Sequence, residues 1–366
     1  MPFTRIITQQ QAVFCSTGPS ATGYMLSSGG LSGVNSVAQL HRIQSANNSA
    51  NINRTPIFQY GQLAELDRII LTAPTVTLNL DYIVANTYNA NTLGFTTDGT
   101  AGMLSGILNK TQDEKNYFIE TVRQGSDAIG NLDPDSTKAV KAIGNGFISN
   151  FQARGSVGNF ATEAVTIEGL NFASYTGTTS GLSPAIIPSG GQRVSFPNQF
   201  ILPAATSGQA GAVAAIRPGD ITLSFADPVF GPKVSDLKIQ SYDLSVPVSR
   251  QPLSKLGSTF PFSREINFPV TVTLSIEAEV GDLVSGDLSS LFCNDTNNNI
   301  TINLAKPACG GSGPIAVQYQ VLGAKLESQN FQSALGQNER VSLQYVTTIG
   351  GPTDAVHNVF ISGNLV

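Results

Sequence analysis

Tryptophan is absent from this 366-residue chain, histidine occurs twice, cysteine three times, and charged residues make up only 12%. The charged share is about half the roughly 25% usual for globular proteins, and Gly, Ser, Thr and Asn fill the difference. Such a surface suits packing against other protein surfaces, and it is also compatible with a turn-rich extracellular protein. His41 and His357 lie near opposite ends of the chain. No G-x-S-x-G, H-E-x-x-H or P-loop motif occurs, so the expectation is a protein that is not an enzyme. Net charge is −5, and the 20 basic residues are scattered. Tight nucleic-acid binding needs clustered Lys and Arg to neutralise phosphates, so nucleic acid is expected to be passed along, not gripped.

Long apolar runs are missing too. A membrane span needs about 20 apolar residues, and no segment provides them. The first residues, Met1 to Thr8, lack a basic stretch followed by an apolar region, so a secretory signal is not expected and assembly in a cytoplasm is. None of Cys15, Cys293 and Cys309 forms a C-x-x-C pair. Cys293 and Cys309 flank a polar turn and could meet across a hairpin, although free thiols fit cytoplasmic synthesis better. Asp295, Asn297 and Asn299 open like a calcium loop, but Ile300 stands where Gly is required and Lys306 where Glu is. Asp133-Pro134-Asp135 reads as a solvated turn. No metal or other cofactor is expected.

What the chain does contain is an internal repeat. Ile43 to Leu78 and Ile239 to Leu274 align without a gap at an offset of 196, with 13 of 36 positions identical; average composition gives roughly two. Arg54, Pro56, Gly61 and Arg68 correspond to Arg250, Pro252, Gly257 and Arg264. The match continues in the same order: Leu104-Ser105 with Leu288-Ser289, Asn116 to Val122 with Asn299 to Leu304, Asn150-Phe151-Gln152 with Asn330-Phe331-Gln332, and Val165 to Glu168 with Val341 to Gln344. Tandem duplication accounts for all of these. It predicts one domain over residues 1–174, a linker over 175–210 and a second domain over 211–366. The linker is rich in Gly, Ser, Thr and Pro yet carries Val194, Phe196, Phe200, Ile201 and Leu202, which suggests an arm that docks.

Period-two alternation dominates. Val270, Val272, Leu274 and Ile276 alternate with Thr and Ser; Ile315 to Val321 and Val341 to Tyr345 do the same. Half-buried antiparallel strands give this pattern. The expected fold is therefore mainly β, two tandem β-sandwich or barrel domains, each with one short helix, at Gly102 to Asn109 and Gly286 to Phe292. Thr111-x-x-Glu114 resembles a capping box, but its repeat partner is β-branched, so Asn116 to Val122 is assigned to a strand. Gly61 and Gly257 are expected to supply turns with positive φ. The paired arginines have two readings: guanidinium forks at subunit contacts, or contacts within a domain that fix a turn.

Two similar domains in one chain can take quasi-equivalent places in a ring. Three chains then mimic a hexamer through a head-to-tail contact that closes. Ile239 to Val280 resembles a segment of structural proteins of tailed bacteriophages, in particular tail tube (major tail) proteins. Val321 to Pro352, with its Ala324-Lys325-Leu326-x-Ser328-Gln329 segment, resembles the closing strands of the same family. Together they span about a fifth of the chain. The resemblance implies a structural virion protein of the tail, made in the host cytoplasm, whose rings stack head-to-tail; with two domains per chain those rings are expected to be homotrimers. It implies sheets of neighbouring subunits joined into an inner barrel, contacts with other tail proteins, and a lumen, often negative, that conducts genomic DNA on ejection. No catalytic residue carries over, and many tube proteins hold one domain per chain where this one holds two. Alternatives are a capsid decoration or neck protein, and a receptor- or carbohydrate-binding β-sandwich, which the absence of Trp disfavours.

Overall fold

The computed structural model describes residues 6–16, 37–131, 133–179, 181–186, 200–207, 215–228, 231–285, 287, 289, 292, 297–308, 313–336 and 338–364. Cys293, Cys309, Asp295, Val194 and Phe196 lie outside them, as does most of the expected helix over 286–292.

The chain is mainly β. The first repeat runs β1 (Gln11–Ser16), β2 (Val37–Leu40), β3 (Ile43–Asn51), β4 (Thr55–Ile57), β5 (Asp67–Ile69), β6 (Thr75–Ile83), helices α1 (Tyr88–Leu93) and α2 (Ser105–Leu108), β7 (Glu114–Thr121), β8 (Ala139–Ser156), β9 (Thr162–Gly169) and β10 (Asn171–Thr176). The second runs β11 (Ile221–Ser224), β12 (Gly231–Pro232), β13 (Lys238–Pro247), β14 (Arg250–Leu253), β15 (Ser263–Ile266), β16 (Val270–Glu279), β17 (Leu283–Val284), β18 (Asn298–Ala305), β19 (Ile315–Gln332), β20 (Arg340–Ile349) and β21 (Asn358–Gly363).

The repeats share pairing as well as sequence. β3 pairs β6 with Ser49 opposite Thr77, and β13 pairs β16 with Ser245 opposite Thr273. Both ladders carry a bulge at the same place, Ile43/Ser45 and Ile239/Ser241. A bulge at the same offset in both copies is a conserved device that bends the strand. Pro56 faces Arg68 in one hairpin and Pro252 faces Arg264 in the other. Gly61 and Gly257 adopt φ of +86° and +82° at the hairpin tips, as the turn reading requires.

The 18-residue strands β8 and β19 organise each repeat. The first part of β8 pairs β7 and β10; its last part pairs β9. β19 does the same with β18, β21 and β20. Alternation buries one face of these strands, as in β16 with Val270, Val272, Leu274, Ile276 and Ala278. One apolar core runs through both repeats, from Val76, Leu78 and Phe151 to Leu244, Leu274 and Leu343.

The expected helix over 102–109 is shorter than its sequence suggests. The Gly102 N–H donates to the Pro352 carbonyl and the Met103 N–H to that of Val359. Contacts with the second repeat therefore take the first residues, and the helix opens only at Ser105. Helix α1 was not expected; it ends at Gly94, with φ of +111°, whose N–H closes on Ala90 and Asn91.

The described part of the linker docks. Leu182, Phe200, Leu202 and Ala205 bury against Phe14, Phe118 and Val140, with the Phe118 and Phe200 rings 5.3 Å apart. Asp135 clamps its root: it accepts bonds from the backbone and hydroxyls of Thr178 and Thr179 at 2.6–3.2 Å. Burial works against the charge, but these bonds prevail and hold its carboxyl down at about 2. The clamp is thus complete above the usual carboxylate range and is lost as pH falls towards 2. Asp135→Ala is expected to speed amide exchange over 176–186 and expose it to limited proteolysis; unchanged exchange there would refute the clamp.

Candidate assembly interface

The two repeats meet edge to edge. β13 pairs the end of β8 antiparallel, from Ser241 opposite Ser156 to Pro247 opposite Asn150. The Val248 N–H extends the ladder to the Ser149 carbonyl. The result is one eight-strand path, β3-β6-β9-β8-β13-β16-β20-β19. It has two ends. Among the described residues, β3 pairs β6 alone, and the last part of β19 pairs β20 alone.

The seam is fixed by the β14–β15 hairpin of the second repeat, which lies on the first. Arg250, 1% exposed, donates to Asp113 at 2.6 Å and to the Ile148 carbonyl at 3.1 Å. Arg264 reaches Glu168 at 3.4 Å. Both guanidinium groups stand over the Phe147 ring, at 5.1 and 5.8 Å, a geometry that favours the cation. Lys110 pairs with Glu265 at 2.8 Å. Tyr242, Leu244, Val246 and Val248 of the seam are buried. In the second repeat the signature arginines thus join one repeat to the other. Asp113, Phe147 and Glu168 carry no mark in the sequence that singles them out as their partners.

In the first repeat the same residues face solvent. Arg54 donates to the Arg68 carbonyl at 3.5 Å. Arg68 is held by Glu65 at 2.6 Å, which raises its pKa. Pro56 is exposed. The β4–β5 hairpin also exposes Phe58, Tyr60, Leu63, Leu66, Ile70 and Leu71. Clustered exposed apolar side chains are a feature of interaction surfaces.

Beside the seam, burial pushes the Glu114 carboxyl up to about 7, although Asn145 donates to it. The folded state therefore binds more protons than the unfolded one between the ordinary glutamate range and pH 7. Stability from this group is complete below about 4.3 and falls as pH rises through 7, by at most about 4 kcal/mol. Glu114→Gln is expected to flatten the dependence of the urea midpoint on pH between 5 and 8; an unchanged slope would contradict this.

The eight-strand path turns a polar face away from the core, lined by residues such as Asn79, Thr166, Gln152, Ser245, Thr273 and Gln344. Its charges nearly balance: Asp81, Glu168, Asp243, Glu277 and Glu279 stand against Arg154, Lys238, Lys325 and Arg340. Arg154 pairs with Asp243 at 3.2 Å, and Arg340 with Glu279 at 3.8 Å. Among the described residues no group of His, Cys, Asp or Glu could hold a metal ion. His41 stacks on Tyr88 at 5.2 Å.

No protein-family profile matches the chain, and no curated protein sequence does. Among solved structures it is similar to a chain of the cryo-EM structure of the anti-feeding prophage (AFP) baseplate, 6-fold symmetrised. That similarity has 9% identity and a TM-score of 0.30, and covers 48% of this chain and 97% of that one.

Proposed function

We propose that this chain is a structural protein of a virus particle that polymerises into stacked rings, three chains and six repeats to a ring, as the tube of a phage tail. The observation that supports this best is the β8–β13 seam. It joins two equivalent repeats head to tail and, among the described residues, leaves the same two edges free at the ends of the path. A heterologous contact repeated around an axis closes a ring.

Three copies of the eight-strand path would close a barrel on the order of 48 Å across at the backbone, taking about 4.8 Å between strands and a tilt of about 40°. That is wide enough for a DNA duplex inside one layer of side chains. The polar face would then line the lumen. Hydroxyls, amides and arginines already paired with acids offer phosphates little to hold, so DNA would slide, without sequence-specific binding. The chain would do no chemistry; its partners would be itself, other tail proteins and the passing genome.

Electron microscopy of the purified chain tests this. Stacked rings with six apparent lobes are the expected result. A closed oligomer that never stacks at any concentration would exclude the tube and favour a neck or decoration role.

A further inference from the structure

We infer that the free edge of β19 takes strand β3 of a second copy in the register of the internal seam, with the β4–β5 arm of that copy laid across it. This rests on the self-association in the proposed function, but not on stacking or on DNA.

The register follows from the two offsets. β13 maps to β3 at 196, and the end of β8 maps to the end of β19 at 180, because Phe151 pairs Val165 as Phe331 pairs Val341. Ser245 opposite Gln152 therefore becomes Ser49 of one copy opposite Gln332 of the next. Val246 opposite Phe151 becomes Ala50 opposite Phe331, and Pro247 opposite Asn150 becomes Asn51 opposite Asn330. Exposure agrees: Phe151 is fully buried under the seam, whereas Phe331 is 42% exposed. Ile148 pairs Ile167 as Gln329 pairs Leu343, so Arg54, the counterpart of the Arg250 that donates to the Ile148 carbonyl, would approach the Gln329 carbonyl, two residues from the exposed Glu327. Arg264 contacts Glu168, so Arg68 would exchange Glu65 for Gln344. Ile57 and Ile70 of the arm would be half-buried on the neighbouring copy, as their counterparts Leu253 and Ile266 are on the first repeat, whereas Leu256, the counterpart of Tyr60, stays exposed.

The two seams are chemically unequal. Tyr242, Leu244, Val246 and Val248 of the internal seam correspond to Ala46, Asn48, Ala50 and Ile52. Smaller and more polar residues keep the free β3 edge soluble, as exposed edges require. The contact between copies would then rely on the backbone ladder and the arm, and would form reversibly while the internal seam stays closed.

A disulfide tests the register. Ser49→Cys with Gln332→Cys, in a chain carrying Cys293→Ser and Cys309→Ser, would place two thiols on one face at cross-strand distance, within disulfide reach. Mild oxidation is expected to give reducible dimers and trimers on a gel, at least tenfold more than Ser49→Cys with Phe331→Cys, whose side chains face opposite sides. Equal yields from the two pairs, or none from either, would overturn the register. Rings in micrographs without the in-register crosslink would also overturn it while leaving the tube reading intact. Crosslinked rings that never stack would support the seam and remove the tube. Asn48→Leu, which copies Leu244 into the edge, is expected to lower the concentration for half-assembly about tenfold; no change would count against the seam.

Discussion

Arg250→Ala is expected to lower the free energy of unfolding by about 3–5 kcal/mol, while Arg54→Ala, its equivalent in the other repeat, changes it by no more than about 0.5 kcal/mol. The reason is burial, not identity. Arg250 is enclosed with Asp113 and stands over Phe147, so removing it leaves a half-buried carboxylate without its cation and a carbonyl without its donor. Arg54 faces solvent. Urea unfolding of the two variants measures both. Equal losses would mean that the arginines fix their own hairpins and that the seam owes them nothing. Arg54→Ala should instead raise the concentration needed for assembly.

Ala50→Pro is expected to abolish assembly and leave the fold intact. Just past β13 the Val248 N–H points across the seam. The matching position, 52, and by alternation position 50, then aim their N–H groups at the free edge and not at β6. Proline at 50 removes one outward donor and crowds the edge, which strands tolerate only where no ladder forms. Circular dichroism should be unchanged, while sedimentation should show monomer at concentrations where the unmodified chain assembles. Assembly by Ala50→Pro at the normal threshold would contradict pairing through β3.

The fold was legible where alternation was strict. Val270 to Ile276 and Val341 to Tyr345 read as half-buried strands, and they are. The duplication carried Asn116 to Val122 from an apparent capping box to its place in β7, ending at Thr121. Helix α1 escaped because Tyr88–Leu93 has no apolar stripe and no capping side chain. The buried charges escaped for another reason. Lys115 is buried and donates to the Thr92 carbonyl at 2.9 Å. Glu163 is buried and accepts from the Tyr319 hydroxyl of the other repeat. A signal existed for Glu163, since it falls on the inward phase of the run that continues with Val165 and Ile167, where an acid requires a partner. The pairs themselves depend on segments 156 and 23 residues apart. The interface was half legible: the duplicated arginines marked the hairpins, but nothing in the sequence shows that β8 and β13 would share a ladder.

The mass of the smallest closed assembly, by native mass spectrometry, tests the central claim most directly. Two repeats per 38.4 kDa chain, joined head to tail, predict a trimer of about 115 kDa as the first closed species. A dimer with two-fold symmetry as the only oligomer would contradict the account, because such a contact pairs like edges and cannot repeat the internal seam.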